Sequence, residues 1–332
     1  MLTLVLAVLL FLLMIFPHEL GHFLAARAVG VKVNEFAFGM GPALWQKQGK
    51  ETLYSVRLFP VGGYCAMEGE DEDSGDDRSF VRKPAWAKIL VLAAGAAMNV
   101  LICLLVLTIL FTVSGHPSNS FQSVSAGSPA AAAGLRAGDE MVEVAGERKE
   151  LWSGLATAVQ KGKPFDLTIG RNGEEKKIRL VPVKEEGRYW VGVTIRVSHS
   201  PFTALVLGGR ETLSMAGSMY RDLKLLFTGG VKVTDLSGPV GIVSVVHETA
   251  SQGAFNFFYF LAFISMNLAV VNLLPIPALD GGRILFVLVR KLTRGAVSDH
   301  AEAIVNAAGL VFLLGLMLFV TWNDISRLIF RS

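Results

Sequence analysis

Five consecutive residues, His18-Glu19-Leu20-Gly21-His22, carry the most readable chemistry in the chain. On a helix, residues four apart lie one turn above each other on the same face, so both imidazoles can reach one metal ion. Glu19 stands beside them, placed to act as a base toward a water at that ion. A catalytic zinc takes three protein ligands and keeps a fourth position open. Further ligands are offered by His116, His199, His247, His300, Cys65, Cys103 and the acids. Asp280 stands out among them, because Asn272-Leu273-Leu274-Pro275-Ile276-Pro277-Ala278-Leu279-Asp280-Gly281-Gly282 sets a lone carboxylate directly after an apolar run. Two prolines break that run and two glycines allow close backbone approach. An isolated Asp-Gly-Gly is more often a turn than a ligand; the apolar setting and the missing third ligand weigh against that plainer role. Two histidines and a carboxylate suit zinc, although other divalent ions bind such sets.

These residues need elements to position them, and composition says what those are. Only 18% of the 332 residues are charged and 52% are hydrophobic, against about 25% charged in typical soluble domains. This is a membrane protein's composition. A net charge of +3 with scattered basic residues excludes a nucleic-acid binder, and two cysteines exclude a disulfide scaffold. Four stretches approach the about 20 apolar residues a membrane span needs: 2 to about 29, 86–113, 255–274, and 304 to 320 or slightly beyond. The first has neither a basic n-region nor a clear cleavage site, so it is a retained helix rather than a signal peptide. His18, Glu19 and His22 lie within it. A charged side chain at membrane depth costs about 2.5 to 3.5 kcal/mol and marks function by default.

Orientation follows from lysine and arginine near the span ends. Arg27, Lys32, Lys47, Lys50, Arg57, Arg78, Arg82, Lys83 and Lys88 lie between the first two spans, and Arg283, Arg290, Lys291 and Arg294 follow the third. Four spans put both connections on one side, which the rule assigns to the cytoplasm. Both termini and residues 115–253 then lie outside.

Three connecting regions have their own character. Residues 31–67 alternate β-formers with glycine and predict a hairpin-like sheet that dips into the membrane, tolerated where protein buries it or water reaches it; an acidic run, 68–77, follows as a solvated loop. Residues 121–197 predict a soluble α+β domain, with strands at 141–144, 165–169, 177–181 and 189–195 and a helix over 151–160. Its entry, Ser128-Pro129-Ala130-Ala131-Ala132-Ala133-Gly134-Leu135-Arg136-Ala137-Gly138-Asp139, is similar to that of a PDZ domain, with Gly134 ending a short helix and Gly138-Asp139 turning into a strand. Residues 201–227, apolar on one helical face, predict a helix lying along the membrane surface. The expected fold is thus a mainly α-helical multi-pass membrane protein with four transmembrane helices, a membrane-associated β-hairpin sheet and an inserted α+β PDZ domain. The expected division is 1–114, 115–198, 199–254 and 255–332.

With these elements in place, the chain resembles the site-2 protease family of intramembrane zinc metalloproteases (peptidase family M50B), most closely its bacterial RseP-type branch. The resemblance covers nearly the whole chain. It also includes Gly39-Met40-Gly41-Pro42, Pro60-Val61-Gly62-Gly63-Tyr64, Ala94-Gly95 followed by Asn99, and Ser237-Gly238-Pro239-Val240-Gly241-Ile242. It implies that His18, His22 and Asp280 are zinc ligands and Glu19 the catalytic base. It also implies that Asn272, with Asn267 and Asn99 as further candidates, helps hold the unwound substrate. Two departures are Ala96, where the family usually has proline, and a single PDZ-like domain where some members carry two.

The implied activity is endoproteolysis of single-span membrane proteins within the lipid bilayer, with substrates such as anti-sigma factors or remnant signal peptides, sometimes after an upstream site-1 protease. The implied location is a bacterial plasma membrane, with the active site near the cytoplasmic side. Edge pairing with the 31–67 sheet would hold an unwound substrate strand. A non-catalytic PDZ-containing receptor with a structural metal is the competing class, and such sites are normally closed by four protein ligands. A metal-ion transporter would space several polar residues along more than one helix as a pathway, and the second and fourth spans, with only Ser, Thr, Gly and Asn as interruptions, offer no such series.

Overall fold

The computed structural model describes residues 2–70, 74–148, 151–185, 187–230, 238–293 and 299–330. Arg294, Ser237, residues 71–73 of the acidic run and the side chains of Pro60, Val61 and His300 lie outside the described residues. The chain forms two compact units, one of Met1–Leu110 with Leu205–Ser332 and one of Phe111–Ala204.

In the first unit, four helices are long and apolar enough to cross a membrane: α1 (Leu2–Ala28), α2 (Ala85–Val113), α7 (Ala254–Asn272) and most of α9 (Asp299–Phe330). At about 1.5 Å per residue these are long enough for a hydrocarbon core of about 30 Å. Their boundaries match expectation within a few residues, except that α9 continues well past both ends of its apolar stretch. Leu310, Val311, Phe312 and Leu318 on α9 are exposed, as suits a helix whose solvent is lipid.

Between α1 and α2 run the long antiparallel strands β1 (Val33–Gln48) and β2 (Leu53–Met67). Their register doubles back: Phe36 stands opposite both Tyr54 and Cys65, while Lys47 stands opposite Tyr54. Residues 63–67 therefore have 33–38 along one side and, among the described residues, no strand along the other. Gly39, at φ +83°, permits this folding, because a Cβ there would sit 2.6 Å from the Phe59 carbonyl oxygen. Phe23 and Ala26 of α1, Val33, Phe36, Cys65 and Met67 of the strands, and Val91 and Leu92 of α2 share one core, which seats the sheet on the helices. At its far end Met40, Leu44, Trp45, Leu58 and Phe59 are exposed.

Two helices in this unit were not foreseen. The first, α6 (Pro239–Ser251), packs with α1 and α7 around the buried Val246. Its N-terminus is capped from a distance: Asp324 of α9 accepts hydrogen bonds from the amides of Gly238 and Gly241, both at 2.8 Å. The second, α8 (Asp280–Leu292), follows directly after the proline-containing turn. Arg283, Arg290 and Lys291 dilute its apolar signal, so the sequence reads as a connection. A further helix, α5 (Pro201–Phe227), fills the stretch expected for it. Thr212 of α5 lies 3.7 Å from Cys103 of α2, and Glu211 accepts a 2.6 Å hydrogen bond from Tyr259 of α7. This part of α5 thus runs beside two of the apolar helices.

The second unit is built on a five-stranded sheet. Its order is β6 (Glu174–Leu180), β5 (Phe165–Arg171), β4 (Glu140–Val144), β3 (His116–Val124), β9 (Val193–Ser198). A small pair, β7 (Val183–Glu185) and β8 (Arg188–Trp190), stands apart from it. The short α3 (Pro129–Ala132) is capped by Ser128, and α4 (Leu151–Gln160) contributes Leu151 and Leu155 to a core with Phe121, Leu167, Ile169 and Leu180. Gly134 and Gly138 are left-handed, at φ +83° and +87°, and the next strand starts at Glu140. The single strand expected over 189–195 is two. Gly192, at φ +78°, breaks it, its carbonyl accepting from Ser125 while that of Val191 accepts from Ala130.

Candidate metal centre

The site forms where α1, α2, α7 and α8 converge. His18 and His22 point from one face of α1, their rings nearly perpendicular with centroids 4.8 Å apart. Their Nε2 atoms are 3.2 Å apart, and each lies 3.4 Å from Oδ2 of Asp280, the first residue of α8. Both imidazoles are buried. Asp280 Oδ2 is also buried, yet it is in hydrogen-bonding geometry with nothing. Two nitrogens and an unsatisfied carboxylate oxygen facing one point suit a cation, since a buried polar atom without a partner is otherwise costly. The donor set fits zinc.

The tautomer of His22 supports this. Its Nδ1 is 2.9 Å from the Val91 carbonyl oxygen, which can only accept, so the proton sits on Nδ1 and Nε2 presents its lone pair to the centre. Close helix packing brings that carbonyl within reach. A Cβ on Gly21 would lie 2.3 Å from the Ala94 carbonyl oxygen, and one on Gly95 would lie 2.3 Å from His22 Nε2 and 2.7 Å from His18 Cε1. Only glycine at these two positions lets α2 cross α1 directly over the imidazoles.

Asp280 is delivered by an equally tight turn. Ala278 is left-handed at φ +72°, and its amide donates to Asn306 Oδ1 of α9 at 3.1 Å. A Cβ on Gly281 or Gly282 would sit 2.3 Å or less from the carbonyl oxygens of Leu273, Leu274 or Ile276. The two glycines therefore fold α8 back against the end of α7.

Glu19 borders the same cavity, of about 470 Å³, as His18, His22, Asp280, Tyr64 and Cys65. Gly63 of β2 approaches it closely: a Cβ there would be 3.1 Å from Glu19 Cγ. Of the three asparagines, two stand beside His18. Asn272 Nδ2 is 3.2 Å from His18 Nε2, and Asn99 Nδ2 is 3.4 Å from His18 Nδ1, with Asn99 Oδ1 buried and unpartnered. Turning that carboxamide over would let Oδ1 accept the Nδ1 proton. Asn267 is exposed on α7, five residues and about 140° round the helix from Asn272; it is not brought to the cluster. Three further histidines among the described residues lie elsewhere: His247 bonds Thr3 at 3.0 Å, while His116 and His199 bond carbonyls of Phe111 and Thr112. Among the described residues, His18, His22 and Asp280 are the one group placed to hold a metal.

Sequence reasoning missed the Val91 carbonyl, Gly21 and Asn306 as parts of this site. Gly95 and Asn99 were visible as a motif, but nothing in the motif says that both touch the imidazoles.

Two histidines and an aspartate drawn together at the meeting of membrane-length helices, with the Glu19 carboxylate on the same cavity, suit a membrane-embedded metallopeptidase. The model of peptidase family M50 matches residues 6–316. A Clostridium acetobutylicum protein named "Putative zinc metalloprotease" is 38% identical over 329 residues, covering 97% of each chain. The regulator of sigma-W protease RasP of Bacillus subtilis is 31% identical, covering 98% of this chain and 99% of its own. The zinc metalloprotease RasP of Bacillus licheniformis is 29% identical with the same coverage. The chain belongs to peptidase family M50 and is a site-2-type zinc metalloprotease of intramembrane proteolysis, as the motifs implied.

Proposed function

We propose that His18, His22 and Asp280 hold the zinc ion and that Glu19 is the catalytic base. The convergence of both Nε2 atoms on the unsatisfied Asp280 Oδ2 carries this reading. When bound, zinc supplies Lewis acidity, polarising the scissile carbonyl and acidifying water. Glu19 takes the proton of the attacking water and returns it to the leaving amine. His22 is held in its ligating tautomer by Val91, and Asn99 orients His18 in the same way. Asn272, beside His18, contacts the unwound substrate; Asn267 has no part in it. Three ligands and a separate carboxylate favour a catalytic over a structural metal.

A substrate helix hides its carbonyls in its own hydrogen bonds and must unwind before water attacks. Residues 63–67 run next to Glu19 as a strand with one side open, which suits pairing with such a segment. The exposed apolar residues at the other end of β1 and β2 suit a sheet that dips into lipid. The substrates are single-span membrane proteins, of the anti-sigma-factor or remnant-signal-peptide kind, in some cases first shortened by a site-1 protease. Basic residues place the connections after α1 and α7 in the cytoplasm of a bacterial cell, with the 115–198 domain, read as a PDZ domain, and both termini outside. That domain admits or docks shortened substrates, and the amphipathic 199–254 segment links it to the 255–332 region.

Glu19→Gln tests the base. The variant should keep one zinc per chain while its cleavage of a single-span substrate in detergent falls by about 10²- to 10⁴-fold; cleavage within twofold of wild type would rule Glu19 out. Fragments seen in membranes carrying the wild-type chain but not Glu19→Gln would name the substrates.

A further inference from the structure

Cleavage needs one fixed spacing between the strand that would carry the substrate and the side chains that act on it. Residues 63–67 end β2, whereas Asp280 begins α8, and the two elements lie far apart in the chain. Apolar packing brings them together: Cys65 and Met67 belong to the core against which Ile284 and Val287 of α8 pack. Such contact is non-directional, so it holds the surfaces together without fixing where they sit. The polar contact is directional. Met67, the last residue of β2, donates its amide to Glu70 Oε2 at 3.3 Å, and the other oxygen of that carboxylate is ion-paired with Arg283. Arg283 stands one turn beyond Asp280 on α8. Met67, Glu70, Asp280 and Arg283 all border the catalytic cavity.

One carboxylate thus joins the end of the open strand to the helix that delivers Asp280. The two paired side chains are 22% and 23% exposed, sheltered enough for a charge-assisted hydrogen bond to hold against water. At its other end the strand abuts α1, where a Cβ on Gly63 would crowd Glu19. We propose that the Glu70–Arg283 pair is a strut that fixes the spacing between the 63–67 strand and α8, so that Glu70 and Arg283 are positioning residues of the protease. The inference rests on the reading that the substrate pairs along 63–67. Without the strut the strand edge still binds, but the scissile bond is held off its place, and a misplacement of about 1 Å can cost about 100-fold in rate.

The test uses the full chain in detergent with a single-span substrate, rates being counted per zinc-loaded chain by titration with a hydroxamate inhibitor. Arg283→Met removes the cation, and Glu70→Gln leaves one carboxamide oxygen to serve Met67 and Arg283 at once. Each should lower kcat by about 10- to 100-fold, with KM within about threefold of wild type and zinc content unchanged. The double variant should fall no further than the worse single one, because either change alone breaks the strut. A field effect of the two charges on Glu19 would instead move kcat in opposite directions in the single variants, and independent roles would multiply. Either result overturns the strut. Glu68→Gln is the same change two residues earlier, where the partners are Lys32 and Asn34. It should keep kcat within about twofold; an equal loss there would show that any softening of this turn suffices, and would overturn the strut. On the Glu19→Gln chain, a photo-crosslinking residue beside the scissile bond of the substrate should label residues 63–67. No label there would overturn the strand reading and the strut with it. Label there, with wild-type kcat in Arg283→Met and Glu70→Gln, would overturn the strut alone.

Discussion

Asp139 is a buried carboxylate and Asp280 a half-buried one with its Oδ2 enclosed, one in each compact unit, and the protein treats them oppositely. Arg171 grips Asp139 through two hydrogen bonds of 2.7 and 2.6 Å, and the Arg136 amide adds a third at 2.8 Å. Burial alone would push this carboxyl up, but the Arg171 guanidinium and the Arg136 amide hold it below the usual carboxylate range. Asp280 has two imidazoles 3.4 Å away and an oxygen that no hydrogen bond satisfies. Asp139 is closed by its hydrogen bonds; Asp280 is left open, as the proposed zinc ligand. The same contrast runs through the two units. In the Phe111–Ala204 unit, apolar side chains fill the core. In the helical unit, large apolar side chains face outward while His18, His22 and Asn99 are buried. A lipid solvent inverts the rule for the outside, and a metal site supplies the reason for the polar inside.

The sharpest way to break this contrast is to perturb the open site without touching a ligand. Gly95→Ala should abolish stable zinc binding, because its Cβ would fall within van der Waals contact of both imidazoles. Zinc content by atomic absorption checks this; full zinc occupancy would mean that α2 can retreat, and that the glycine is not required. At the closed site, Arg171→Met removes the guanidinium that grips the buried Asp139 carboxylate and should measurably destabilise the Phe111–Ala204 unit. Denaturant unfolding measures the loss, while zinc content should not change. A fall in zinc would show that the two carboxylates are coupled after all.

Asn99→Ala tests a subtler part of the open site. Losing the group that orients His18 should weaken zinc affinity by about 10- to 100-fold, read by competition with a chelator. The smallest effect is in pH. Asp139 titrates lower folded than unfolded, so its contribution to stability is present above the ordinary aspartate pKa of about 3.9 and is lost as pH falls through its depressed folded value. Unfolding midpoints of wild type should therefore drop below about pH 4, and Arg171→Met should flatten that dependence.

Much of this was legible beforehand because its signals are local. A span needs only enough consecutive apolar residues, so α1, α2 and α7 were found within a few positions. The i, i+4 spacing of His18 and His22 needs only a helix to have meaning. The helices α6 and α8 were not legible. Their packing partners are far off in sequence: Asp324 caps α6 from more than eighty residues away, and α8 reads as a charged connection until its glycines are seen folded against α7. The strand expected over 189–195 failed on a turn glycine inside an apolar run. Asn267 and Asn99 both stand behind Asn272 as further candidates in the sequence, and only the tertiary packing separates Asn99, beside His18, from Asn267, on another face of α7.

By itself the sequence determined the membrane setting, the histidine pair with its adjacent glutamate, and the singular position of Asp280, because hydrophobicity and helical spacing act over short range. Tertiary structure alone decided that Asp280 closes on those histidines, that Val91 selects the tautomer of His22, and that Asn99 and Asn272 reach His18 while Asn267 does not. Each of these depends on where one helix crosses another. At Gly21, Gly95, Gly281 and Gly282 that crossing is set by the absence of a single carbon atom, and no local pattern reports what the missing atom would have struck.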